Sequence, residues 1–136
     1  MRYLIYFILF LFACNSGENY QNTSNLIDNN AQISVENNIF NFGEIIQGEK
    51  VTAQFTIKNT GSSDLIIVNV KTSCGCTAAS WNKNPLNSGT EEVIEVTFNS
   101  ENKIGKQEKT VSLLTNATPN TTILTIIGNV IVPEKN

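Results

Sequence analysis

From Lys50 to Asn59 apolar and polar residues alternate without a break, with Val51, Ala53, Phe55 and Ile57 in one set and Thr52, Gln54, Thr56 and Lys58 in the other. Successive side chains of a strand point to opposite faces, so this pattern predicts a strand with one face in a core and one in water. The same period of two recurs along the chain. Ile33 and Val35 flank Ser34, Phe40 and Phe42 flank Asn41, and Ile94, Val96 and Phe98 share one side of Glu91–Phe98. Val111 and Leu113 lie opposite Thr110 and Ser112. Turn residues separate these runs at Gln47-Gly48-Glu49, Asn59-Thr60-Gly61-Ser62-Ser63 and Asn116–Asn120, and no stretch has helical periodicity.

Two runs are apolar on both faces. Leu65 to Val70 is nearly all aliphatic, which predicts a central core strand. Its parity places Ile66, Val68 and Val70 on one face and Leu65, Ile67 and Asn69 on the other. Carried further, that parity puts Thr72, Cys74 and Cys76 on the Ile66 face. The last strand, from about Thr121 to Val132, carries Leu124, Ile126, Gly128 and Val130 on one face. Ile123, Ile127 and Ile131 lie on the other. That second face is either covered by the amino-terminal segment or exposed as an aliphatic stripe that can mark an interaction site. The irregular stretch from Ala78 to Thr90 holds Trp81, which either plugs one end of the core or presents its ring to a partner. About seven short strands at regular spacing predict an all-β, immunoglobulin-like β-sandwich.

The amino terminus differs in kind. Met1-Arg2 precedes an apolar run from Tyr3 to Ala13, followed by Cys14. The run is about half the ~20 residues that a membrane-spanning helix needs, and its make-up is that of a secretory signal peptide. Leu11-Phe12-Ala13-Cys14 resembles a bacterial lipobox, although Phe12 stands where a smaller residue is usual. The resemblance implies cleavage before Cys14 and lipid attachment to its thiol; the alternative is an ordinary signal peptide with a stray cysteine. The polar segment that follows cannot bury enough surface to offset its ordering entropy and reads as a flexible tether. The chain thus divides into a signal peptide (1–13), a lipidated cysteine with its tether (14–31) and one domain (32–136). Multiple acyl chains would make anchoring stable. The expected location is the bacterial cell envelope, lipid-anchored, at the outer membrane.

Charge and composition narrow the chemistry. Nine basic residues stand against twelve acidic ones, a net charge of -3. Loss of Arg2 with the signal peptide makes this 8 - 12 = -4. A mildly acidic chain without lysine clusters argues against nucleic acid as a partner. The sequence contains no histidine, which removes Ser/His/Asp and Cys/His catalysis and the usual zinc-hydrolase ligand sets. Glu91 and Glu92 are neighbours, so a strand would aim them to opposite faces, and both are expected to be solvated. No enzymatic activity and no cofactor are expected.

The residues that remain are Cys74-Gly75-Cys76. Two residues of extended strand separate their Cα atoms by about 6.6 Å, near the limit for a disulfide. Gly75 can close that gap by adopting a turn or bulge. The pair can be two small core thiols or a small structural disulfide, a redox pair, or a soft-metal site suited to copper(I). An exported protein meets oxidising conditions, so Cys74 and Cys76 are expected to be oxidised to each other in a mainly structural role.

Several segments carry a further resemblance. These are Phe40-Asn41-Phe42-Gly43-Glu44-Ile45, Gly48-Glu49-Lys50-Val51, Phe55-Thr56-Ile57-Lys58-Asn59-Thr60-Gly61, Ser73-Cys74-Gly75-Cys76-Thr77 and Val96-Thr97-Phe98-Asn99-Ser100. Together they resemble the bacterial domain-of-unknown-function 1573 family over roughly Ile39 to Ile131. The resemblance implies an immunoglobulin-like sandwich related to ciliary and major-sperm-protein type modules, often secreted or lipidated. It implies no particular activity. The expected function is therefore a non-catalytic binding or scaffolding module whose partner is another envelope protein or a glycan. The alternative is a thiol redox or soft-metal-handling protein that uses Cys74 and Cys76.

Overall fold

A computed structural model describes residues 30–134. The signal peptide (1–13), Cys14 and all but the last two residues of the 14–31 tether lie outside the described residues. Within them the chain forms eight strands: β1 (Ile33–Val35), β2 (Ile39–Ile46), β3 (Lys50–Asn59), β4 (Ile67–Thr72), β5 (Thr77–Ser80), β6 (Glu91–Asn99), β7 (Gly105–Thr115) and β8 (Thr121–Ile131). They build two four-stranded sheets, β1-β3-β6-β5 and β2-β8-β7-β4. All pairings are antiparallel except β2 with β8. The chain changes sheet at every connection but β5–β6 and β7–β8.

The alternating strands pack as their pattern requires. Ala53, Phe55 and Ile57 of β3 and Ile94, Val96 and Phe98 of β6 are buried. They face Val111 and Leu113 of β7 and Leu124, Ile126 and Val130 of β8, also buried. The two central pairs, β3–β6 and β7–β8, thus supply most of the core, and each buried aliphatic or aromatic side chain contributes about 1.5–3 kcal/mol. Both Phe40 and Phe42 pack against this core. Their strand continues through Gly43 to Ile46, with a register shift between Asn41 and Glu44. Gly43 has φ +70°, a backbone conformation that suits glycine at such an irregularity.

The Leu65–Val70 run is not a central strand. β4 starts only at Ile67 and lies at the edge of its sheet. A register shift between Ile67 and Asn69 breaks its parity. Leu65 is buried in an isolated bridge with Leu86, whereas Ile66 and Val68 are 42% and 62% exposed. Val70 and Thr72, paired with Leu113 and Val111, turn to the interior while Ile66 and Val68 do not. The expected common face from Ile66 to Cys76 therefore does not exist. One extra residue in an edge strand reverses the facing of everything after it.

The start of the domain also lies earlier than the composition indicates. Ala31 is buried, and Asn30 and Gln32 accept hydrogen bonds from Ser62 N and Thr60 N, both at 3.0 Å. A Cβ on Gly61 would overlap the backbone of Asn30–Gln32, so a glycine is what lets this segment lie against the turn. Asn30 and Ala31 belong to the domain.

Candidate functional site

Two features stand apart from the core: the Cys74–Cys76 corner and the outer face of the β2-β8-β7-β4 sheet. At the corner the chain leaves β4 at Thr72 and joins β5 at Thr77, so residues 73–76 carry it from one sheet to the other. Backbone bonds hold both ends. Ser73 N donates to Thr110 O (2.9 Å) and Thr110 N to Ser73 Oγ (3.1 Å), on the β7 side. On the β6 side, Asn99 N donates to Cys76 O (2.9 Å). Within the turn, Cys74 O accepts from Thr72 Oγ1 (3.1 Å) and from Thr77 N (3.4 Å).

Cys74 and Cys76 are joined as a disulfide with their Cα atoms 5.2 Å apart. The turn shortens the separation that an extended strand would impose. It does so without a positive φ at Gly75, which is absent from the left-handed residues Gly43, Gly48, Gly89 and Gly105. Both cysteines are half-buried, and Gly75 is exposed with open space where a Cβ would lie. Thr77, which periodicity alone did not single out, closes the site from beneath. It is 6% exposed, and its Oγ1 lies 3.4 Å from Cys74 Sγ and 4.0 Å from Cys76 Sγ. Its position directly after the second cysteine was the available signal. Among the described residues no three His, Cys, Asp or Glu side chains gather into a group that could hold a metal.

The second feature is aliphatic. Ile123 and Ile131 of β8 are 41% and 38% exposed, and Ile127 between them is half-buried. The parallel register sets Ile39 opposite Thr125 and Ile46 opposite Ile131, which widens the stripe onto β2 with two more exposed isoleucines. Beside it a depression of about 580 Å³ is lined by Asn41, Lys106, Glu108, Ile127 and Asn129, among others. Trp81, by contrast, packs against the core, and its Nε1 is buried without a hydrogen-bond partner among the described residues. Its ring is half-buried against the core rather than free in solvent. Glu91 is exposed and pairs with Lys58 at 3.5 Å, whereas Glu92 is half-buried rather than solvated.

The two sheets define an immunoglobulin-like, PapD-like β-sandwich, with eight strands where the pattern indicated about seven. The chain belongs to the family described as "Protein of unknown function (DUF1573)", matched over residues 33–130. No curated protein matches it. Solved structures resemble it in fold. A protein of unknown function from Porphyromonas gingivalis W83 aligns at TM-score 0.64 and 14% identity, covering 73% of this chain and 46% of that one. This chain thus spans less than half of that relative. The ASH / PapD-like domain 7 of human CEP192 aligns at TM-score 0.62 and 13% identity, covering 78% and 89%. A family 123 glycoside hydrolase from Clostridium perfringens aligns at TM-score 0.59 and 10% identity, covering 79% of this chain and 28% of the enzyme.

Proposed function

We propose that this protein is a cell-envelope lipoprotein, anchored through Cys14 at the outer membrane, whose domain is a non-catalytic module that binds another envelope protein. The aliphatic outer face carries this reading. Ile39, Ile46, Ile123 and Ile131 are exposed on the outer face of two neighbouring strands, with Asn41, Glu44 and Asn129 among them, and exposed apolar surface of this kind is a common site of contact with another macromolecule. The face offers aliphatic side chains and no aromatic ring for a sugar to stack on, which favours a protein partner over a glycan. An acidic chain that lacks lysine clusters is a poor ligand for nucleic acid.

Crosslinking in intact cells, followed by mass spectrometry of what the domain captures, tests the binding reading. Capture of one envelope protein should be lost in Ile123→Glu and Ile127→Glu and kept in Cys74→Ser. Equal capture by all three would sink the assignment of this face. The anchor is tested separately with a palmitate analogue: label should enter the wild-type chain and be absent from Cys14→Ser.

A further inference from the structure

The Cys74–Cys76 cystine sits where a cross-link does least for stability. Its sequence separation of 2 closes a very short loop, and the chain-entropy gain of a disulfide grows with the length of loop it closes. The corner is also held without it, by the Ser73 N–Thr110 O and Asn99 N–Cys76 O bonds on its two sides. Opening the S–S bond leaves both of those attachments in place. Neither cysteine is fully buried.

Thr77 supplies the independent observation. Buried hydroxyls ordinarily find an oxygen or nitrogen partner. The Thr77 hydroxyl, on a residue only 6% exposed, is instead aimed at the sulfur pair. A donor at a sulfur favours the thiolate over the thiol, and a more stable thiolate leaves faster in exchange. The shorter contact, 3.4 Å against 4.0 Å, selects Cys74 as the sulfur so favoured. Lys109, two residues along β7 from the Val111 that pairs with Thr72, adds a half-buried cation near the same end of the sandwich.

We propose that Cys74–Cys76 is a thiol–disulfide exchange site that passes its disulfide to the dithiol of another exported protein, with Thr77 holding the leaving thiolate. A thiolate of the partner attacks Cys76 Sγ. A partner–Cys76 disulfide forms as the Cys74–Cys76 bond breaks, and the electron pair of that bond goes to Cys74 Sγ, which accepts the Thr77 hydrogen bond. The partner's second thiolate then attacks its own sulfur in the mixed disulfide and releases Cys76 as a thiolate. The partner loses two electrons and the cystine gains them, and the two protons shed by the partner's thiols end on Cys74 and Cys76. This activity sets aside the non-catalytic part of the reading above and leaves its binding role, on the outer sheet face, as it stands.

The test uses the full chain in detergent with Cys14→Ser, so that Cys74 and Cys76 are the only cysteines. A synthetic unstructured peptide with two cysteines serves as the dithiol, and its oxidation under native conditions is followed by mass spectrometry. The protein should oxidise it at least about tenfold faster than a cyclised Ser73–Thr77 peptide does. Thr77→Val should slow the protein by about tenfold while Thr77→Ser keeps the rate, with near-ultraviolet circular dichroism unchanged in both. Trapping with reduced glutathione and rapid alkylation should place glutathione on Cys76 and the alkyl group on Cys74. A rate no greater than the peptide's, a Thr77→Val variant as fast as wild type, or glutathione found on Cys74 would each overturn the proposal. Should Thr77→Val fail to fold, the trapping result on the Thr77-containing chain decides alone.

Discussion

The ring of Phe42 occupies the space that a side chain at Gly128 would fill. Phe42 reaches inward from β2 across the neighbouring β8 and stacks on Phe98 of the opposite sheet, with ring centroids 5.6 Å apart. Gly128 is thus a packing residue, and the absence of its Cβ is what admits the ring. Gly128→Ala should destabilise the domain by about 1–3 kcal/mol, the cost of overpacking. Gly75→Ala, where nothing lies within 4 Å of the added carbon, should stay within about 0.5 kcal/mol of wild type. Urea midpoints of the two variants make the comparison.

The central alternation predicts its own mutational signature. Phe55 is buried on the inner face of β3 and Thr56 is half-buried on the outer one. Phe55→Ala should cost about 3–5 kcal/mol, and Thr56→Ala a small fraction of that. Equal urea midpoints for the two would contradict the facing of this strand.

Asn59 joins three segments of chain. Fully buried at the end of β3, it donates from Nδ2 to Ser63 O (2.8 Å) and Leu86 O (2.9 Å) and accepts from Gly61 N (3.0 Å) through Oδ1. Asn59→Ala removes three hydrogen bonds, although Leu86 O keeps its bond from Leu65 N (2.9 Å), and should cost about 1.5–4.5 kcal/mol at roughly 0.5–1.5 kcal/mol per bond. Asn59→Asp keeps the acceptor and loses both donors, so it should not rescue. Thermal melts of the three proteins at neutral pH check this.

The register shift in β4 is testable by a pair of truncations. Leu65→Ala removes a buried side chain and should cost about 2–5 kcal/mol. Val68→Ala removes an exposed one and should change stability by no more than about 0.5 kcal/mol. A large loss from Val68→Ala would place that residue in the core and remove the shift.

Ser100 shows a similar economy of backbone bonding at the other end of β3. Buried after β6, its hydroxyl donates to Glu49 O (2.7 Å), with a longer approach to Ile46 O (3.2 Å), and accepts from Gly48 N (2.9 Å). The Gly48 turn is therefore held by the residue that follows β6 as well as by its own Glu49 N–Ile46 O (3.0 Å) and Ile46 N–Glu49 Oε2 (2.8 Å) bonds. Ser100→Ala should loosen that turn and raise amide exchange at Gly48 well above wild type, which hydrogen exchange reads directly.

The local alternation of β3, β6 and the inner face of β8 was sufficient to name their faces, because a period of two in side-chain character is a property of neighbouring residues. It also sufficed for the fold class, since short amphipathic strands separated by turns have few ways to bury their apolar sides. The cysteine pair and its spacing were legible for the same local reason. Other features depended on partners distant in sequence. Leu65 is buried because Leu86 bridges it, Ala31 because Gly61 leaves room, and Val70 faces inward because β4 gains a residue against β7. None of these leaves a mark in the run that contains it. Sheet order likewise puts β2 beside β8 and leaves the outer face that carries Ile123 and Ile131 without a further layer among the described residues. Thr77 became part of the cystine site only when the turn folded its hydroxyl beneath the two sulfurs. Periodicity reports which residues want burial; tertiary register decides which of them obtain it, because a shift of one residue reverses a strand's faces without changing its composition.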